Sequence, residues 1–314
     1  MFNYIEKNIK IAIKDLTRHL IYTAFIILIS AGLTYLLTSR LIQQKSSVST
    51  QKAGKTAVAT SQTGDELYVE RGSPYDNRTI DSTKTNVIFH GPRDKKRIAL
   101  TFDAEMTEKM RKDLLSGKVK SSYNKTIIDI LKQTNTKATL FLTGMWIELY
   151  PDATKDLSGD SLFELGSHSY TDSSYHGFCY GLKQIPSTLK IEDIGSTEKL
   201  LREHAGIDNR LFRFPGGCYN PDDVKLVNQV NDTVVHWDVV GADGFNKDAN
   251  QITHNVIDNV QNGSIIVLHM NGAPTAPKTA DALPAIIKTL KERGFEFVKV
   301  SELLNLPPAP KVQN

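Results

Sequence analysis

The stretch IALTFDAEMT, from Ile98 to Thr107, decides the fold of this chain: a nearly continuous apolar run passes directly into two carboxylates, Asp103 and Glu105, spaced two residues apart. Such a run is a strand buried on both faces, as in a parallel sheet covered by helices. Carboxylates that leave one strand end together can divide labour, one as general base and one as metal ligand.

Four more polar motifs follow in order, each where a strand should end. They are GSHSYTDSSYH (Gly166 to His176), RFPGG (Arg213 to Gly217), HWDVVGAD (His236 to Asp243) and IVLHMN (Ile266 to Asn271). The chain between them alternates. Strand-like runs stand at ATLFL (Ala138 to Leu142), Phe163 to Leu165, LFRF (Leu211 to Phe214), VVHW (Val234 to Trp237), SIIVL (Ser264 to Leu268) and FEFVKV (Phe295 to Val300). Helix-like runs fall between: Tyr123 to Gln133, Ile194 to Gly206, Pro221 to Gln229, Gln251 to Val260, and Ala280 to Arg293 capped by Gly294. VIFHG (Val87 to Gly91) reads as an edge strand or barrel lid. This alternation predicts an α/β fold, a parallel (β/α) barrel with its chemistry at the carboxyl ends of the strands.

The motifs carry groups suited to metal-assisted hydrolysis. His168, Asp172 and His176 with Glu105 can supply three ligands to zinc or a neighbouring ion, leaving one position for water. Arg213 ends its strand before Pro215, Gly216 and Gly217, where backbone can approach a ligand closely. Its guanidinium can hold Asp103 ionised through a bidentate pair. His269 is the candidate general acid, because its ordinary pKa lies near neutrality. Trp237 is a sugar platform or a core aromatic, Tyr219 a second substrate-facing candidate, and Trp146 a core residue.

At 314 residues, 40% hydrophobic and 23% charged, the chain has room for one barrel-sized domain and accessory segments. The net charge of +3 gives no argument for nucleic acid. The two cysteines, Cys179 and Cys218, flank the proposed site and match no zinc-finger spacing. They read as a disulfide, with unpaired buried thiols as the other reading. Closing that loop would stabilise the fold by about 4 kcal/mol in the chain-entropy picture.

Residues 21–39, IYTAFIILISAGLTYLLTS, carry no charge, and Lys7, Lys10, Lys14 and Arg18 precede them. This predicts a single transmembrane helix with residues 1–20 in the cytoplasm and everything after Arg40 outside. No small-x-small cleavage site follows, so an uncleaved anchor is expected rather than a signal peptide. The Ser/Thr/Gln/Lys-rich segment within 40–85 is too polar to order itself and reads as a flexible tether. A catalytic domain over 86–305 and a disordered tail over 306–314 complete the expected organisation.

Taken together the five motifs resemble the polysaccharide deacetylase family with the NodB homology domain, carbohydrate esterase family 4, over roughly Asn86 to Leu304. TFDAE (Thr101 to Glu105) is similar to its TFDDG, HSYTD (His168 to Asp172) to its His-Ser/Thr-x-x-His, and RFPGG and Leu268-His269 to its third and fifth motifs. The resemblance implies a distorted (β/α) barrel of the NodB type. It also implies removal of N-acetyl groups from a glycan such as chitin or peptidoglycan, with a divalent metal, commonly zinc. Asp103 would be the base, His269 the acid and Arg213 the group orienting Asp103.

The sequence departs from the family pattern at three places. Ala104 stands where the family has a metal-binding aspartate, so the metal loses a ligand or recruits Glu105. Asp172 stands where the second histidine belongs and binds as a carboxylate unless His176 takes over. In the fourth motif Val240, Asp243 and Gly244 replace an Asp-x-x-Asp-Trp pattern, leaving Asp243 as the candidate to tune the acid histidine. Ala104 and Asp172 also motivate a second reading, a membrane-anchored pseudoenzyme that binds glycan without turning it over.

Overall fold

The structure, a computed structural model, describes residues 87–244 and 246–312. The expected cytoplasmic segment 1–20, anchor 21–39 and tether 40–85 lie outside the described residues. Among those described, no helix is long and apolar enough to cross a membrane.

Among the described residues nine strands form one sheet: β1 (Val87–Ile88), β2 (Arg97–Ala104), β3 (Ala138–Leu142), β4 (Phe163–Ser167), β5 (Leu211–Phe212), β6 (Thr233–Val235), β7 (Val239–Val240), β8 (Ile265–His269) and β9 (Glu296–Val298). Every pairing is parallel, in the order β1-β6-β5-β4-β3-β2-β8-β7, with β9 beside the start of β2. From β6 to β7 that path takes six inter-strand steps, about 29 Å if the sheet were flat. The chain makes the same journey from Val235 to Val239, which can span at most about 14 Å. The sheet therefore curls most of the way into a barrel, left open between β1 and β7.

Around it lie α1 (Glu108–Leu115), α2 (Lys125–Gln133), α3 (Gly144–Leu149), α4 (Pro151–Gly159), α5 (Lys190–Leu200), α6 (Pro221–Gln229), α7 (Ala249–Ile257), α8 (Thr279–Glu292) and α9 (Val300–Leu304). The strand alternation of β2 divides the core. Ile98, Leu100, Phe102 and Ala104 face the helices, packing in one cluster with Ile127 and Leu131 of α2 and Leu283, Ile286 and Leu290 of α8. Ala99 faces the barrel interior with Phe141, Leu211, Val235 and Ile265. Each of these buried Val, Leu, Ile or Phe side chains contributes about 1.5–3 kcal/mol of transfer free energy.

Some element bounds differ from the expectation. The helix expected from Ile194 begins at Lys190, and its final turn, Leu201–Ala205, widens before Gly206 ends it with φ +64°. The last strand stops at Val298, where a Lys299–Glu302 capping box starts α9. The tail expected to be disordered from 306 is instead held as far as residue 312. Asp208 N–H donates to Pro310 C=O, and Val312 N–H to Gly206 C=O.

Candidate active site

The parallel register sets Asp103 of β2 opposite His269 of β8, while Phe141 of β3 lies on its other side. Asp103 faces the barrel interior with Thr101, and Ala104 is turned toward the helices. Glu105, one residue past the strand, returns to the same face as Asp103.

Arg213 follows β5 and is fully buried in the barrel mouth. Nη1 donates to Asp103 Oδ1 at 2.8 Å and to Thr101 Oγ1 at 2.7 Å, Nε to Val235 C=O, and Nη2 to His236 C=O. The guanidinium carbon lies 4.0 Å from the centre of the Phe141 ring. Burial alone would raise the Asp103 pKa; the charge of Arg213 foremost, with that of His269 and the Arg213 hydrogen bond, outweighs it, and the carboxyl is held below its ordinary value. Oδ2 is left for other work.

His168 follows β4, and its Nδ1 lies 2.9 Å from Arg213 C=O. A carbonyl only accepts, so Nδ1 carries the proton and Nε2 presents a lone pair. Burial is the main reason the His168 pKa is lowered, which keeps the ring neutral. Nε2 is 3.8 Å from Asp172 Oδ1 and 3.8 Å from Asp103 Oδ2. One ligand atom from each of Glu105, His168 and Asp172 falls within 4.8 Å of the others.

That group fits a divalent cation. His168 Nε2 and both Asp172 carboxylate oxygens are buried and make no hydrogen bond among the described residues. Each such atom costs about 1–3 kcal/mol if left so. Burial, then the charge of Glu105, drive the Asp172 pKa well above its ordinary value. An ion of charge +2 among one imidazole and two carboxylates would reverse both penalties. Asp172 and Ser169 sit at φ +55° and +65°, a left-handed conformation that costs a non-glycine residue about 1–2 kcal/mol. The turn is held by Asp193, whose carboxylate accepts from Tyr170 N–H, Thr171 Oγ1 and Tyr175 Oη.

His269 Nδ1 lies 2.7 Å from Asp243 Oδ1, and Nε2 lies 3.2 Å from Glu105 Oε1. Burial would lower the His269 pKa, but the charges of Asp243 and Glu105 prevail and push it well above its ordinary value. Asp243 is fixed in turn: its Oδ2 accepts from His269 N–H and Thr279 Oγ1.

Other candidates are placed differently. His176 is not in the ligand group; its Nδ1 faces Asn220 Nδ2 at 3.2 Å, because Tyr175 before it is anchored inward on Asp193. Tyr219 is buried, stacked on Phe214 with ring centres 4.9 Å apart, in a cluster with Tyr175 and Phe212. Pro215 is buried, whereas Gly216 and Trp237 line a cleft of about 280 Å³ that also contains Asp103, Glu105, Asp172 and His269. Cys179 and Cys218 form a disulfide with Cα atoms 6.1 Å apart. It clamps the 177–182 turn over Gly216, where a Cβ would stand 2.4 Å from Cys179 Sγ and φ is +59°. That turn brings Tyr180 and Leu182 to the cleft wall.

Sequence reasoning gave no role to Asn271, Asp193 or Thr279. Asn271 was within the fifth motif and two residues beyond His269, the spacing that keeps a strand residue on one face. Asp193 and Thr279 lie on helices, where nothing local marks them.

The sequence profile described as "Polysaccharide deacetylase" matches residues 90–235. A peptidoglycan-N-acetylglucosamine deacetylase of Bacillus cereus is 30% identical over 219 residues, covering 68% of this chain and 70% of the relative. The crystal structure of the Bc1960 peptidoglycan N-acetylglucosamine deacetylase superposes with a TM-score of 0.62 at 28% identity, over 73% of this chain and 97% of that one. BA3943, a carbohydrate esterase family 4 pseudoenzyme from Bacillus anthracis, gives a TM-score of 0.57 at 25% identity, over 69% of this chain and 68% of that one.

Proposed function

From its membership of the polysaccharide deacetylase family, we propose that this chain hydrolyses the N-acetyl group of N-acetylglucosamine residues in peptidoglycan, with one zinc ion held by Glu105, His168 and Asp172. The observation that carries this reading is the convergence of those three groups beside the Asp103–Arg213 and His269–Asp243 pairs. When bound, the ion supplies Lewis acidity toward the acetamide carbonyl.

The remaining chemistry belongs to the chain's own residues. Asp103 is ionised, and its Oδ1 is engaged by Arg213. Oδ2, which faces the ligand group, takes a proton from the attacking water as its oxygen bonds to the carbonyl carbon. His269 is protonated and gives its Nε2 proton to the departing amine as the carbon–nitrogen bond breaks, releasing acetate and a free amino sugar. Asp243 holds Nδ1 and keeps Nε2 aimed at the cleft. Trp237 and the backbone at Gly216 form the wall against which a sugar ring can lie.

The charge-free span 21–39 anchors the domain 86–305 outside the membrane in this proposal, next to its glycan. A second reading, a glycan-binding pseudoenzyme, is favoured by Ala104 and by the likeness to BA3943. Acetate release from N-acetylated peptidoglycan in the presence of zinc or cobalt separates the two. Release supports the hydrolase; glycan binding without release under any divalent metal supports the pseudoenzyme.

A further inference from the structure

Ala104 faces the helices, fully buried in the cluster that contains Met106, Met145 and Trp146. The carboxylate that this strand end brings to His168 and Asp172 belongs instead to the next residue, Glu105, which lies beyond the end of β2 where strand pairing no longer fixes the backbone. The β2–β8 register runs from Ala99 opposite Ile265 to Asp103 opposite His269. Carried on by two residues, it sets Glu105 opposite Asn271.

At that position the ladder is completed by a side chain. Asn271 Oδ1 accepts from Glu105 N–H at 3.0 Å, and Asn271 Nδ2 donates to Glu105 C=O at 2.6 Å. Nδ2 also donates to Ser122 C=O at 3.3 Å. Asn271 is 2% exposed, so these bonds face little competition from water. It pairs with both ends of Glu105 as a backbone peptide would, and fixes the residue from which the carboxylate reaches toward His168, Asp172 and His269.

We propose that Asn271 is the positioning residue that makes Glu105 a metal ligand in place of the carboxylate missing at Ala104. The inference rests on the ligand set of the proposed function. Asn271 is not among the residues that line the cleft; it acts through the Glu105 backbone. Replacing a group that orients a ligand lowers metal affinity by about 10–100-fold. A purely structural asparagine would not.

The test is zinc affinity, by competition with a chromophoric chelator, in the full-length chain. The variants are Asn271→Ala, Asn271→Asp and Glu105→Gln, with the two Asn271 changes also made in the Glu105→Gln background. Asn271→Asp keeps the size and the acceptor but sets an oxygen against Glu105 C=O, so it controls for packing. Thermal unfolding of each metal-free variant reports folding.

Asn271→Ala and Asn271→Asp are expected to weaken zinc binding about 10-fold or more and to lower kcat with little change in KM. In the Glu105→Gln background neither is expected to weaken binding further. Wild-type affinity in a folded Asn271→Ala, or an equal loss with and without Glu105, overturns the inference alone. A wild-type chain that binds no zinc overturns the ligand set of the proposed function, and the inference with it.

Discussion

The Nδ1 atom of His269 lies 2.7 Å from Oδ1 of Asp243, and that carboxylate is itself held by the His269 backbone N–H and by Thr279. Because Asp243 is among the groups that raise the His269 pKa, its removal lowers that pKa. The acid must be protonated to act, and its protonated form is lost as pH rises through the pKa. Asp243→Asn is therefore expected to move the alkaline limb of the kcat/KM profile to lower pH and to reduce kcat by about 100-fold. A pH–rate series on both proteins checks this; an unmoved alkaline limb counts against the pairing.

Asp103→Asn is expected to abolish turnover while leaving zinc content at the wild-type level. Asp103 Oδ1 is committed to Arg213, and the residue lies outside the three-ligand group. Acetate release and metal analysis on one preparation check both halves. Loss of zinc would show that Asp103 is a ligand rather than the base.

Zinc content should separate the proposed ligands from the neighbouring histidine. His168→Ala and Asp172→Ala are each expected to lose the ion, whereas His176→Ala retains it, since His176 faces Asn220. Retention in His168→Ala would place the site elsewhere.

Away from the cleft, the carboxylates of Asp232 and Glu198 are expected to make stability depend on pH. Asp232 is 4% exposed beside Glu198, and burial, then the charge and hydrogen bond of Glu198, raise its pKa to about 9. The folded chain thus keeps a proton that the unfolded chain, with an ordinary Asp pKa, has lost. Between pH 4 and 9 the native state binds more protons, so stability falls as pH rises, by up to about 1.4 kcal/mol per unit. Melting temperature should decline from pH 6 to 9 in the wild type and decline less in Asp232→Asn. Equal slopes would contradict a protonated pair.

The strand-end motifs make the barrel, and the gathering of polar groups at its mouth, legible in the sequence, because a parallel strand buried on both faces leaves a continuous apolar run. β3 and α6 run over Ala138–Leu142 and Pro221–Gln229 as expected, the former all apolar but for one threonine, the latter opened by Pro221 after the Asn220 cap. β7 is not legible in the sequence, since Val239–Val240 is too short to show a period. Among ligands, spacing alone left Asp172 and His176 both open; the choice depended on Tyr175 turning inward onto Asp193, a contact 18 residues distant in sequence. Tyr219, a substrate-facing candidate in the sequence, has its ring stacked on Phe214, a contact that the sequence alone does not show. The role of Asn271 required the β2–β8 register, which the sequence does not carry.

The most direct measurement is a zinc titration of the metal-free full-length chain, with bound ion and acetate release from N-acetylated peptidoglycan followed together. Activity is expected to rise in proportion to bound zinc and to saturate at one equivalent per chain, through Glu105, His168 and Asp172. One equivalent of zinc bound to a glycan-binding chain with no acetate released, or full release from the metal-free chain, would contradict it.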